Sequence, residues 1–379
     1  MADIAGICDD RFTELRDILS ANLDSGADVG ASVALTIDGE FVVDMWGGWV
    51  DAEHSAPWVE DTITNVWSTT KTMAALAALM AVDRGLLDVD APVAKYWPEF
   101  AANGKEAVLV RHLLSHTSGV SGWEQPADNG DLYDALTAAA RLADQPPWWE
   151  PGTASGYHLL SYGHPISELL RRVDGRGLKQ FVAGEIAGPL GADFQIGADP
   201  SDTPRISDVI PPTTIEASSF DMDPEGPAIK TVLGPIISAS EAVTPEWRAA
   251  DIGAGNGHGN AHSVARIQQV IANGGAVDGV RLLSPETIDL IFREQANGRD
   301  VVLGIPLRWG IGYALPEPTT FPYIPDGRIA LWGGWGGSMV VNDLDHHMTF
   351  SYVMNRMESR IIGCPRSEAL IAATYRALT

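Results

Sequence analysis

The chain has 379 residues, of which 45% are hydrophobic and 20% are charged, and its formal net charge is -25 at pH 7. This composition is typical of a folded globular protein and excludes a chain that is disordered throughout. The length allows two domains, or one large domain that carries an insertion. The excess of acidic residues disfavours nucleic acid, anionic membranes and strongly anionic small molecules as partners.

The first predicted elements are a helix, a hairpin and a second helix. Apolar residues recur at helical spacing over residues 11–23. Two β-rich segments follow, 31–37 and 40–45, and the Asp38-Gly39 pair between them is a strong hairpin signal. Residues 69–84 predict a helix that is apolar almost all round, which indicates that it is buried.

The rest of the chain changes from helical patterns to strand patterns. Residues 86–250 hold short helical patterns between Pro-, Gly- and Trp-rich loops, and residues 198–226 are typical of a long surface loop. Strand patterns return near the C-terminus. The predicted strands are 328–332, 339–342 and 348–354, and the predicted helices around them are 263–273, 284–294 and 366–378.

These patterns predict an α+β protein. Both chain ends would build one antiparallel sheet of about five strands, flanked by terminal and central helices. A mainly helical domain would be inserted into it. We place the sheet domain at residues 1–85 and 255–379, and the helical domain at residues 86–254.

No sequence feature predicts a membrane anchor, a disulfide framework or a cofactor. Cys8 and Cys364 lie near opposite chain ends, which fits a reducing compartment. The first ten residues lack the features of a signal peptide, and the apolar run 73–82 is too short to span a bilayer. His346-His347 suits a hairpin turn better than a metal site, because neighbouring strand residues point to opposite faces. We therefore expect a cytoplasmic protein without a metal or cofactor, and the oligomeric state stays open.

The pattern Ser68-Thr-Thr-Lys71 at the start of the predicted buried helix is the first candidate for chemistry. Residues three apart share a helical face, so the serine hydroxyl and the lysine amine can meet. A serine hydroxyl needs a nearby base to become a nucleophile. The alternative is a helix cap followed by a surface lysine, but a lysine on a buried helix needs a reason to be there.

Two further segments contain candidate residues. In the first, a Pro-Gly turn leads to Tyr157-His158-Leu159. In the second, the glycines of Trp332-Gly333-Gly334-Trp335 permit close approach of a ligand or another chain segment. Taken separately, these segments also suit a rim aromatic residue and a kinked strand.

Together the three segments resemble the three sequence boxes of the serine β-lactamase and D,D-peptidase superfamily. The order and spacing are similar, and the resemblance is strongest to the class C β-lactamase-like carboxylesterases, the family VIII esterases. The stretches 110–120, 189–191 and 352–357 also resemble segments of that superfamily, so the resemblance covers nearly the whole chain. It implies a β-lactamase-like fold and a serine hydrolase.

The resemblance also implies a role for each residue. Ser68 would attack the acyl carbon, and Lys71 and Tyr157 would form the base pair. The unperturbed pKa values of lysine and tyrosine are about 10.4 and 10, so one of them would have to fall by about three units. The sequence leaves open which one is deprotonated. The backbone N–H groups of Ser68 and Trp335 would form the oxyanion hole.

Departures from the β-lactamase pattern indicate the substrate. The third box usually begins with lysine, which faces a substrate carboxylate, and the tyrosine box usually ends in asparagine. Here these positions are Trp332 and Leu159, which favours an uncharged ester, with short acyl chains implied by family resemblance alone. We expect the substrate to contact Trp332, Gly333, Gly334, Leu159, Trp123 and His258. The alternatives are an amide or β-lactam hydrolase of the same fold, and a non-catalytic binding module.

Overall fold

A nine-stranded antiparallel sheet is the centre of the protein in the computed structural model, which describes residues 2–214 and 223–378. The order of its strands is β1-β3-β2-β15-β14-β13-β12-β11-β10. These strands are β1 Ile4–Cys8, β2 Gly30–Ile37, β3 Glu40–Gly48, β10 Ala296–Arg299, β11 Pro306–Trp309, β12 Ala314–Leu315, β13 Ile329–Gly333, β14 Met339–Asp343 and β15 Met348–Met354. The α+β class is confirmed, and so are the five predicted strands, which form the continuous centre of the sheet.

The strand count of about five was too low because the two edges of the sheet have weak sequence patterns. Strand β1 pairs with β3 at one edge, and its central residues are exposed on the pleated surface. At the other edge, β10 has the sequence Ala-Asn-Gly-Arg, which lacks β-branched and aromatic residues. These two strands are held by pairing with a neighbouring strand, and no alternation of apolar and polar residues predicts them from the sequence.

Two short sheets and thirteen α-helices complete the fold of the described residues. The remaining strands are β4 Ile63–Asn65, β5 Gln195–Ile196, β6 Ile206–Ser207, β7 Gly257–Gly259, β8 Ala276–Val277 and β9 Val280–Arg281. The helices are α1 Thr13–Ser25, α2 Thr70–Asp83, α3 Val110–Leu114, α4 Asn129–Tyr133, α5 Ala135–Asp144, α6 Gly163–Val173, α7 Leu178–Phe181, α8 Gly188–Leu190, α9 Pro227–Leu233, α10 Pro245–Ala249, α11 Ala261–Ala272, α12 Pro285–Ile291 and α13 Pro365–Leu378. A π-helical segment, Val182–Ala187, joins α7 to α8.

Helix α2 is buried on every side, as its sequence predicted. All residues from Thr70 to Ala81 are buried, including Lys71. Helix α11 packs against β2, β14 and β15, whereas α1 and α13 pack against each other. Helix α2 therefore lies in the interior, where the charge of a lysine is costly.

The small sheet β5-β7-β4-β6 joins the chain ends to the middle of the chain. Strand β4 comes from the N-terminal part, β7 follows the predicted helical region, and β5 and β6 come from within it. The domain boundaries at 85/86 and 254/255 stay a prediction. Residues 198–226 include β6, but residues 215–222 of this predicted loop lie outside the described residues. None of the helices described has the length and apolar character needed to cross a membrane.

Candidate active site

A left-handed backbone at Trp67 makes the turn between β4 and α2. Its φ angle is 48°, which is uncommon for a bulky residue and requires support from its surroundings. The backbone N–H of Val66 donates to the carbonyl of Gly257 at 2.9 Å. The Trp67 ring packs against Trp247 and Trp335, with centroids 5.4 and 5.0 Å away. This turn leaves Ser68 half-buried, on the wall of a cavity.

Lys71 lies one helical turn after Ser68 and is 2% exposed. Its Nζ is 3.0 Å from Ser68 Oγ, and it donates to the carbonyl oxygens of Leu159 and Ala254, both at 2.8 Å. Burial lowers the pKa of Lys71 well below its usual value, because the interior disfavours the charged form.

Tyr157 is the second polar group beside Ser68. Its hydroxyl accepts a hydrogen bond from Trp332 Nε1 at 3.0 Å. Its ring centroid lies 4.8 Å from Lys71 Nζ. Burial raises the pKa of Tyr157 above its usual value, and this effect outweighs the lowering influence of the nearby Ser68 and Trp332 side chains. Burial therefore favours a neutral phenol next to a neutral amine.

The loop that carries Tyr157 is anchored by a buried carboxylate. Asp300 is fully buried, and its Oδ1 accepts from the backbone N–H of Tyr157 at 2.9 Å. The same oxygen accepts from the N–H groups of Val302 and Leu303 at 3.0 Å each. Sequence reasoning missed Asp300, because an acidic residue in a loop gives no signal of burial.

The backbone N–H groups of Ser68 and Trp335 are the predicted oxyanion-hole donors. Both residues line the cavity, and neither N–H donates to an acceptor within the described part of the chain. Gly334 brings their two segments together. A Cβ at Gly334 would lie 2.3 Å from the Val66 carbonyl oxygen, so a side chain cannot fit there.

The cavity beside Ser68 has a volume of about 200 Å³. Its lining is apolar apart from the hydroxyl-bearing residues Ser68 and Thr231. The lining residues are Trp67, Ser68, Leu159, Leu160, Thr231, Val232, Pro235, Ile236, Ile237, Trp335 and Ile361. No lysine, arginine or histidine is among them, so this surface suits an uncharged organic group.

The structure places only one of the six predicted substrate contacts, Leu159, on this cavity. Trp332 is instead buried behind Tyr157, and its neighbours Gly333 and Gly334 pack against protein atoms. Trp123 packs in the helical region, where its Nε1 donates to the carbonyl of Ala138 at 2.8 Å. His258 is fully buried in β7, with its Nδ1 2.9 Å from the carbonyl oxygen of Asn256. The substrate contacts expected of Trp332, Trp123 and His258 stay predictions; in this structure Trp332 Nε1, Trp123 Nε1 and His258 Nδ1 each lie against a protein oxygen.

Sequence reasoning missed the segment Thr231–Ile237, which forms one wall of the cavity. Leu233 and Ile236 are exposed by 45% and 65%, which is unusual for large apolar side chains that follow a polar loop. The sequence signal that could have indicated this wall is the apolar run 231–237, which follows the predicted surface loop 198–226. A larger cavity of about 660 Å³ lies elsewhere and is lined by Trp46, Trp49 and Trp58, but it contains no serine, threonine, cysteine or lysine.

Comparisons with known proteins identify the family of the chain. Residues 15–373 match the Beta-lactamase family model, so the chain belongs to the β-lactamase family. It is a hydrolase of that family. It is 35% identical to Esterase/beta-lactamase LipL of Mycobacterium tuberculosis, over 88% of this chain and 78% of that protein.

Among solved structures, the chain is similar to esterases over nearly its whole length. A crystal structure of a family VIII carboxylesterase is 40% identical, with a TM-score of 0.92, and the match covers 99% of this chain and 100% of that one. EstA from Arthrobacter nitroguajacolicus is 29% identical, with a TM-score of 0.87, over 100% of this chain and 98% of that one. These relatives support a serine ester hydrolase.

Proposed function

We propose that this protein hydrolyses uncharged carboxylic esters through an acyl-Ser68 intermediate. The observation that carries the proposal is the 3.0 Å contact between Ser68 Oγ and the buried Lys71 amine, at the wall of an apolar cavity. A nucleophile within hydrogen-bonding reach of a base is the minimum requirement for this chemistry.

Lys71 is the base in this mechanism. As a neutral amine it has two N–H groups, which the carbonyl oxygens of Leu159 and Ala254 accept, and a lone pair that can face Ser68. The Ser68 hydroxyl gives its proton to Lys71 as its oxygen attacks the acyl carbon. The negative charge that develops on the acyl oxygen is stabilised by the N–H groups of Ser68 and Trp335.

Tyr157 then acts as the proton donor to the leaving group. Trp332 donates into the phenol oxygen, which leaves the Tyr157 O–H free to donate. The alkoxide takes the Tyr157 proton and leaves as the alcohol, and Lys71 returns its own proton to Tyr157. A water molecule then attacks the acyl-enzyme by the same path in reverse and releases the carboxylic acid.

The lining of the cavity supports an ester over a β-lactam. A β-lactam carries a carboxylate, and no cationic side chain lines this cavity. The net charge of -25 adds a long-range repulsion. β-Lactam hydrolysis is a second candidate, because LipL is named both an esterase and a β-lactamase.

A substrate panel with matched serine variants tests the proposal. p-Nitrophenyl acetate, butyrate and octanoate, an anilide and nitrocefin would be compared at equal enzyme concentration. We expect mass spectrometry to detect an acyl adduct on the wild-type chain, and Ser68→Ala should lose both this adduct and ester turnover. Ser167→Ala is the control, since Ser167 is buried and hydrogen-bonded but lies outside the cavity. Full turnover in Ser68→Ala would refute the nucleophile, and faster hydrolysis of nitrocefin than of any ester would refute the substrate class.

A further inference from the structure

One side chain, Ser338, connects the two segments that carry the oxyanion-hole donors. Ser68 follows β4, whereas Trp335 follows β13, and the two residues are far apart in sequence. Ser338 lies just before β14 and is 1% exposed. Its position beside both segments gives it a role that neither sequence motif indicates.

The Ser338 hydroxyl contacts the chain on both sides of Ser68. Its Oγ donates to the carbonyl oxygen of Val66 at 2.9 Å. Its only hydrogen is used in that bond, so Thr69 Oγ1, also at 2.9 Å, is the donor in the second bond. Val66 and Thr69 bracket the nucleophile, so this one oxygen fixes the segment from which the Ser68 N–H projects.

The Ser338 backbone fixes the other donor. Its carbonyl oxygen accepts from the N–H of Gly334 at 2.8 Å, and the N–H of Gly337 donates to the carbonyl of Gly334 at 3.1 Å. Trp335 lies inside this tight turn. A Cβ at Gly334 would lie 2.4 Å from Ser338 Oγ, so the absence of a side chain there makes room for the contact with Val66.

We propose that Ser338 is a positioning residue that sets the separation of the Ser68 and Trp335 N–H groups. This inference rests on the proposed esterase function. Donors in an oxyanion hole are effective only at about 2.7–3.1 Å from the developing oxyanion, and removal of one costs about 10²–10³ in kcat. Loosening the contact between the two segments should therefore weaken binding of the transition state more than binding of the ester.

Ser338→Ala tests this inference directly. The alanine keeps the turn but loses both side-chain hydrogen bonds. We expect kcat for p-nitrophenyl butyrate to fall by about tenfold to a hundredfold, while KM changes by less than about twofold. Rates are calculated per active site, counted by titration with a fluorophosphonate, so that a smaller folded fraction does not lower the apparent kcat.

Phenylboronic acid provides a readout that a purely structural role would not change. We expect it to form a tetrahedral adduct with Ser68 Oγ, in which one boron-bound oxygen would occupy the oxyanion position. We expect its inhibition constant to rise in Ser338→Ala by about the same factor as kcat falls, since both depend on the same two donors. Thr69→Val should have a smaller effect, because the bond from Ser338 to Val66 remains.

Ser167→Ala is again the matched control, because the Ser167 hydroxyl also joins two segments, through Asp251 and the N–H of Leu178. Its kcat and boronate affinity should equal those of the wild type even if its melting temperature falls. Unchanged kcat and boronate affinity per titrated site in Ser338→Ala would overturn the inference and leave the esterase proposal intact. Should Ser338→Ala fail to fold, Ser338→Cys, which keeps the size but donates weakly, is judged by the same two numbers. Failure of the wild type to form an acyl-Ser68 adduct would instead refute the proposed function itself.

Discussion

Replacement of Trp332 by phenylalanine tests whether Trp332 contacts the substrate or acts through its hydrogen bond to Tyr157. The indole Nε1 donates to the Tyr157 hydroxyl at 3.0 Å, and the ring packs 4.6 Å from Trp309 and 5.0 Å from Tyr157. Phenylalanine keeps much of the aromatic packing and removes the N–H group. The variant therefore changes mainly the hydrogen bond to the proposed proton donor.

The expected size of the effect follows from that single bond. A neutral hydrogen bond contributes about 0.5–1.5 kcal/mol, and about 1.4 kcal/mol corresponds to a tenfold change in rate. We therefore expect kcat of Trp332→Phe to fall by about twofold to tenfold. KM should stay close to the wild-type value, because Trp332 lies outside the lining of the cavity.

Steady-state kinetics with p-nitrophenyl butyrate measure both constants. Trp309→Phe is the matched control, since Trp309 is also buried beside Tyr157 but its Nε1 has no hydrogen-bond partner within the described residues. It should lose stability without the fall in kcat. A large rise in KM at constant kcat in Trp332→Phe would refute this reasoning and indicate that Trp332 contacts the substrate.

Three further predictions concern protonation and close packing. Because the pKa of Lys71 is lowered and that of Tyr157 is raised, kcat/KM should rise with pH through the Lys71 pKa and then stay level over a broad range, which a pH–rate profile measures; an optimum confined to about pH 10 would contradict it. Below about pH 10.4, Lys71 takes up a proton when the protein unfolds, so the free energy of unfolding should rise with pH. The slope should be up to about 1.4 kcal/mol per pH unit between the pKa values of Lys71 in the folded and unfolded states. Urea titrations at several pH values measure this slope, which Lys71→Met should lack; an equal slope in the variant would refute the prediction. Gly334→Ala should lower kcat per titrated site by about a hundredfold or more, since its Cβ would meet Val66, whereas Gly184→Ala, with 3.5 Å to its nearest atom, should be neutral in the same assay.

The centre of the sheet was predictable because its strands carry strong local patterns. Strands β2, β3, β13, β14 and β15 are rich in β-branched and aromatic residues, and a tight turn follows β2 and β14. Helix α2 was predictable because its sequence is apolar on all faces. The edge strands β1 and β10 lack such a pattern, and β11 and β12 are only four and two residues long, too short for a clear hydrophobic period.

In the candidate site, too, local sequence motifs were predictable, whereas features that depend on long-range contacts were not. Ser68, Lys71 and Tyr157 were recognisable as residue types in an order, and in the structure Lys71 lies beside both Ser68 and Tyr157. The wall formed by Thr231–Ile237 was not recognisable, because its position depends on how the helical region packs over Ser68. The direction of Trp332 depends on the loop that places Tyr157 beside it, which is a long-range contact.

The position of Trp332 connects the proton chemistry with the choice of substrate. A lysine at this position, as β-lactamases usually have, would bring a cation close to Tyr157 and the neutral Lys71 amine. Such a charge would lower the pKa of both groups, and it would offer a counter-ion to a substrate carboxylate. The indole instead supplies one uncharged hydrogen bond to Tyr157. In the proposed mechanism the phenol therefore stays neutral as a proton donor and the site gains no cation, so the proposed preference for uncharged esters depends on the same side chain.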